Sequence, residues 1–360
     1  MTSTKSMLDT PALVIDLDVL EANIDHIAQT CRSHGVAWRP HFKGHKTLEI
    51  ARKQLAAGAI GVTCAKLGEA EVLAAGGISD ILIANQIVGA VKIARLMTLL
   101  GKADPIVAVD SRENILELAR ASGAAGKNLR VVIEVNIGMN RAGVEPGEPV
   151  VALATAIAQH SSLRLVGLMG WEAQTTAIAD AGVKEKAVAD AIGLLTASAD
   201  RCRKAGIDIQ IVSCGGTGTF LYCVKQPGVT EVQVGGAVMS DEHYRGHYHV
   251  DLPVSLTILA TVTSRPTPTR VILDAGRKAM SIEAATPRAL NVPGVRQVRL
   301  SAEHAQLELD APSDWPRVGD RIEFVPGYTD TTVHLHEEIV ALRNGRMEAV
   351  WKVAGRGKIK

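Results

Sequence analysis

The sequence is poor in aromatic residues, 3% of the chain, and it holds no stretch of 18 uninterrupted apolar residues. The first shortage gives no support for an aromatic-anchored interface, and the second excludes a membrane-spanning helix. Cysteine is sparse: Cys31, Cys64, Cys202, Cys214 and Cys223 form no C-x-x-C pair. An odd number in a chain this long argues against a disulfide scaffold and points to a reducing compartment. Excess charge of either sign is also missing, with 39 Lys and Arg against 38 Asp and Glu for a formal net charge of +1. No basic patch for nucleic acid follows from that balance. The opening MTSTKSMLDTPALVIDL has no apolar core ahead of a small-residue cleavage site. These absences together predict a cytoplasmic protein with a small-molecule ligand and no nucleic-acid or membrane partner.

What is present is a repeated pattern. From residue 36 to about 238, short apolar β-branched runs alternate with Ala- and Leu-rich stretches of helical period, separated by polar or Gly-containing breaks. Eight strands are predicted, at 36–41, 60–65, 81–85, 106–109, 131–136, 165–170, 209–213 and 230–234. Eight βα units in about 200 residues match a compact TIM barrel. A doubly wound open sheet would carry a glycine fingerprint after its first strand, where this chain reads RPHFKGHK. Beyond about residue 250 the helical period fades into strand-like segments, and Asn344-Gly345 between two of them predicts a hairpin. The expected architecture is therefore a (β/α)8 barrel over 12–245 and a β domain over 246–360, the latter joined by an N-terminal strand within 8–17.

Barrel chemistry sits at the C-terminal ends of the strands, so the residues there are the candidates. The first strand ends in Arg39, His41, Lys43, His45 and Lys46, a cluster of cations that is costly unless an anion lies among them. A phosphate-bearing cofactor would supply that anion, and the crowding would depress a lysine pKa toward that of a Schiff-base nucleophile. After strand seven, Gly215-Gly216-Thr217-Gly218 allows backbone N–H groups to turn inward around a phosphate, and Gly235-Gly236 follows strand eight. Arg141 in GMNRAG suits a phenolate or carboxylate at the mouth, while Trp171 and Glu172 end strand six. The segment PGYTDTTVHLHEE gathers Tyr328, Asp330, His334 and His336, the best metal-ligand-like cluster in the chain. Alternation along a strand would put both histidines on one face.

With these motifs in hand, the chain resembles the fold-type III pyridoxal-phosphate enzymes, in the group of D-threonine aldolase, D-3-hydroxyaspartate aldolases and dehydratases, and D-serine dehydratase. The resemblance covers essentially the whole chain, through DTPALVIDLDVLEANI, RPHFKGHK, IEVNIGMNRAGV, CGGTGT, EVQVGG, VILDAGRKA and DTTVHLHEE. It implies an alanine-racemase-like barrel with pyridoxal 5'-phosphate on Lys43 and phosphate held by Gly216, Thr217 and Gly218, with Gly235 and Gly236 nearby. It further implies His41 beside the cofactor and Arg141 at its phenolic oxygen.

Two positions depart from the group. A divalent metal (Mn, Mg, Co or Zn) is held in those enzymes by a His-x-Asp or His-x-Cys pair, and Tyr328 and Asp330 stand there in this chain, so the metal is either held by Asp330 with His336 or water as substitutes or absent. GWEA replaces A-Y-H-G, so that Glu172 becomes the expected general base or substrate contact, next to Trp171. The implied activity is cleavage of a D-3-hydroxy amino acid to glycine and an aldehyde by a homodimer with shared active sites. The alternatives are a dehydratase, a racemase and a non-catalytic carrier of the cofactor.

Overall fold

The structure is a computed structural model, and it describes residues 4–360. Two compact units emerge from one chain. One comprises the residues through Asp25, Gly44–Ile50 and Gly236–Arg356; the other comprises His26–Lys43, Ala51–Gly235 and Gly357–Lys360. The expected change of domain at 245/246 thus falls ten residues earlier in the structure, between Gly235 and Gly236. It falls there because Gly236–Val238 already makes a short 3-10 turn whose neighbours belong to the other unit: Asn23 donates its side-chain amide to the Val238 carbonyl at 3.0 Å.

The elements run in chain order as β1 (Ala12–Asp16), α1 (Leu17–Ser33), β2 (Ala37–Trp38), α2 (Leu48–Ala56), β3 (Val62–Cys64) and α3 (Leu67–Ala75). They continue as β4 (Asp80–Gln86), α4 (Ala90–Leu99), β5 (Asp104–Val109), α5 (Arg112–Ala124), β6 (Leu129–Glu134), α6 (Glu148–Ala158) and β7 (Leu163–Met169). Next come α7 (Ala181–Lys204), β8 (Ile211–Cys214), α8 (Phe220–Cys223), β9 (Glu231–Val232) and α9 (Glu242–Gly246). The β-rich remainder is β10 (Leu256–Thr267), β11 (Arg270–Leu273), β12 (Arg288–Ala289), β13 (Val295–Leu300), β14 (Ala305–Leu309), β15 (Arg321–Val325), α10 (Thr329–Thr332), β16 (Glu338–Arg343) and β17 (Arg346–Lys352).

The eight expected strands form one parallel sheet in the order β2-β9-β8-β7-β6-β5-β4-β3. A parallel bridge from His41 to Thr63 joins the two end strands, with the Phe42 amide donating to the Thr63 carbonyl at 2.7 Å. The ring has no open edge there. Its apolar runs are buried because a parallel barrel is covered on one face by helices and filled on the other by side chains. Leu82, Ile106, Ala108, Val132, Val166 and Met169 pack as one such cluster. At the N-terminal ends of the strands, buried Arg39 pairs with Glu231 at 3.1 Å and with Asp80 at 2.9 Å. Arg39 therefore belongs to the base of the barrel, away from the cations that follow it in sequence.

The other unit is built on a nine-stranded sheet. β1 lies inside it, antiparallel to β10 and parallel to β16, as expected for the unplaced N-terminal strand. The predicted hairpin joins β16 to β17, with Asn344 at φ +50° and Gly345 at φ +71°, the left-handed pair that a tight two-residue turn demands. Residues 329–335 correct the expected strand. They form α10 and a following 3-10 turn, Val333–Leu335, so His334 and His336 do not share a strand face. The helical turn is tied down at its start, where the Thr329 amide and hydroxyl both donate to Asp241 at 2.7 and 2.8 Å.

Candidate active site

Lys43 is exposed two residues beyond the bridge that closes the barrel, and its amide donates to His41 Nδ1 at 3.3 Å. That contact within the turn sets the direction in which the chain leaves β2. The backbone of His41 is itself packed against Gly235, where a Cβ would overlap the His41 main chain. Glycine is required at Gly235 so that the loop after β9 can approach the end of β2.

Arg141 lies after β6 at the mouth and faces Glu134, the last residue of that strand, at 3.7 Å. Glu134 is buried and accepts from the Gln86 side chain at 2.6 Å. Burial raises its carboxyl above the ordinary range, opposed by the Gln86 hydrogen bond and the Arg141 charge. Gln86 also donates to Asp110 at 3.1 Å, and Asp110 accepts from the Gly143 amide at 3.1 Å. The loop bearing Arg141 is thus anchored on both sides. A small open cleft is lined by Glu134, Asn136, Met139, Arg141 and Trp171, among others.

The loop after β8 turns at Gly215, φ +74°. At Gly216 a Cβ would run into the Trp171 indole, so the loop passes flat against that ring. The Gly216 amide donates to the Thr219 hydroxyl at 3.2 Å, while among the described residues the amides of Thr217 and Gly218 make no hydrogen bond within the chain. Two uncommitted donors on a glycine turn fit an anionic group such as a phosphate.

Glu172 differs from the expectation. It is fully buried behind this loop, where its carboxyl accepts from Thr219 Oγ1 at 2.5 Å, Cys223 Sγ at 3.3 Å and Gly215 N at 3.4 Å. A general base must reach its substrate, and this group is sealed away from the mouth. Trp171, one residue earlier, lines the cleft instead.

In the other unit, two of the expected metal ligands, Tyr328 and Asp330, lie side by side, sharing a hydrogen bond. Asp330 accepts from the Tyr244 hydroxyl at 3.0 Å, and the Tyr328 phenol is pushed far up by burial and then by Asp330. A phenol held neutral is a poor ligand for a divalent ion. His336 contacts the Ala279 carbonyl through Nε2 at 2.7 Å. Among the described residues, the one set of three His, Cys, Asp or Glu side chains with donor atoms within 4.8 Å of one another is Glu172, Cys214 and Cys223. With a neutral phenol at Tyr328 and His336 Nε2 turned to a carbonyl, Asp330 is the one ready divalent-cation ligand of the three as placed.

Sequence reasoning missed the residues packed around Tyr328. His243 packs against it with its ring tilted, 4.8 Å between ring centroids, and Asp241 caps α9 through the Tyr244 amide at 2.7 Å. The density of His and Tyr in DEHYRGHYH was the available signal.

A closed parallel barrel with an exposed lysine after its first strand, a glycine turn bearing spare amides and a braced arginine defines the alanine-racemase class of barrels. The family described as the alanine racemase N-terminal domain matches residues 15–242, and a putative serine dehydratase domain matches 255–342. The chain is 34% identical to a D-threonine aldolase from Arthrobacter sp., over 97% of its length and 93% of the relative's. It is 32% identical to a 3-hydroxy-D-aspartate aldolase from Paracoccus denitrificans, over 98% and 94%. The crystal structure of a D-threonine aldolase from Filomicrobium marinum superimposes with a TM-score of 0.96 at 34% identity, covering 100% of this chain and 99% of that one. The chain belongs to the alanine racemase N-terminal domain family, in its D-threonine aldolase branch.

Proposed function

We propose that this protein is a pyridoxal-phosphate-dependent lyase that cleaves a D-3-hydroxy amino acid of the D-threonine type to glycine and an aldehyde. The observation that carries the reading is the grouping, at the C-terminal ends of the barrel strands, of Lys43, Arg141 and the turn Gly215–Gly218, together with aldolase relatives matched over nearly the full chain. Lys43 would hold the cofactor through its amine, and the Thr217 and Gly218 amides would take its phosphate. Arg141, braced by Glu134, would face its phenolic oxygen, and Trp171 would wall the cleft. When bound, the cofactor supplies a conjugated ring that accepts the electrons of the broken bond.

The protein side of the reaction is binding and orientation. The guanidinium of Arg141 offers fixed donors to an anionic oxygen, and the Glu134–Gln86 pair limits its movement. Five buried cysteines, none in a disulfide, support a reducing, cytoplasmic setting, and among the described residues no helix is long and apolar enough to cross a membrane. A homodimer in which chains complete one another's sites is the assembly inferred from the resemblance.

Product analysis on a panel of D-3-hydroxy amino acids tests the reaction. Glycine plus aldehyde is expected; ammonia plus an oxo acid would make the protein a dehydratase. Borohydride trapping followed by peptide mass spectrometry tests the attachment point. A pyridoxyl adduct on the Lys43 peptide is expected, and an adduct confined to any other lysine would overturn the assignment.

A further inference from the structure

We propose that Glu172 is a positioning residue for the phosphate group, acting as a clamp that holds the loop Gly215–Cys223 in its anion-binding shape. This deepens the reading of that loop as a phosphate cradle and rests on it. The geometry is specific. One carboxyl group reaches the loop on both sides of Gly216-Thr217-Gly218: Gly215 N before it at 3.4 Å, and Thr219 Oγ1 and Cys223 Sγ after it at 2.5 and 3.3 Å. Thr219 passes the constraint on, because its hydroxyl accepts the Gly216 amide at 3.2 Å. These contacts use the donors of Gly215, Gly216, Thr219 and Cys223, and leave the amides between them for a ligand.

The clamp is also buried: Glu172 is 0% exposed. Burial raises its carboxyl above the ordinary range, and it raises the neighbouring Cys223 thiol as well. Cys214 and Glu231 are the other acidic groups acting in this cluster, and Glu231 is already paired with Arg39.

The test is a comparison of two ligands that cannot bond to Lys43, 4'-deoxypyridoxine 5'-phosphate and its phosphate-free parent, titrated into full-length cofactor-free chain. For Glu172→Ala, affinity for the phosphate-bearing ligand should fall roughly 10- to 100-fold, as expected for loss of oriented charge-assisted hydrogen bonds, with the phosphate-free ligand unchanged within about twofold. Glu172→Gln, which keeps a neutral acceptor for Thr219, should recover most of the loss. Equal weakening of both ligands, or no weakening of either, overturns the clamp. Where circular dichroism shows Glu172→Ala unfolded, Thr219→Val removes the same link and carries the same expectation. Inorganic phosphate separates the clamp from the cofactor reading. If the wild-type chain takes phosphate but neither pyridoxine ligand, the cofactor reading fails, and phosphate lost in Glu172→Ala still supports the clamp.

Discussion

Asp241 illustrates how much one buried carboxylate does in this chain. It caps α9 through the Tyr244 amide and holds the start of α10 through both the amide and hydroxyl of Thr329. Burial pushes its pKa up to about 7, against the lowering effect of those hydrogen bonds. A carboxyl raised on folding binds its proton more tightly in the native state, so its contribution is fully present below the unfolded value of 3.8 and is lost as pH rises to about 7. Asp241→Asn cannot accept from every donor and should cost about 1–3 kcal/mol. Thermal melts across pH should show the gap between wild type and variant shrinking from pH 4 to pH 7; a gap independent of pH would show that Asp241 does not titrate in this range. None of this was legible in sequence, because an Asp before a short helix looks like any N-cap until its burial is known.

At the scale of elements, the loop between β8 and α8 is the part read most directly from sequence. A run of glycines after the seventh strand signalled close backbone approach, and Gly216 lies against the Trp171 ring, where a side chain would collide. Gly216→Ala should force the loop or the indole to move. We expect cofactor affinity to fall roughly tenfold or more while the melting temperature changes little, since a loop shift of this kind affects binding geometry before the core. Unchanged affinity would mean that the loop does not hold the phosphate. The Asn344-Gly345 hairpin was equally legible, because left-handed φ at two successive positions selects those residues. The segment 329–335 was not. Its polar, alternating letters suit a strand, but the acceptors at Asp241 and the link from the Ser281 amide to Thr332 favour a helical turn.

For the whole molecule, the unit boundaries cross the order of the chain. The first strand closes into the sheet of the last hundred residues, and Gly44–Ile50 belongs with that unit while Lys43 belongs with the barrel. If chains complete one another's sites, sedimentation should give twice the 38.1 kDa chain mass. Specific activity should fall as the wild-type chain is diluted to dissociation, and an excess of inactive Lys43→Ala chain should restore it by lending its β-rich unit. A monomer whose activity per chain ignores dilution would overturn the shared-site assembly.

Periodicity and glycine placement alone determined the eight barrel strands, the separate β-rich unit and the glycine turn after the seventh barrel strand. These are local properties: side-chain repeat and backbone freedom are written residue by residue. Tertiary structure alone decided that Glu172 lies behind the turn instead of in the mouth, that Arg39 leaves its neighbouring cations for the barrel base, and that His336 turns its Nε2 to the Ala279 carbonyl. Each outcome depends on which way a side chain faces and on how deeply it is buried, and both are set by contacts between residues far apart in the chain.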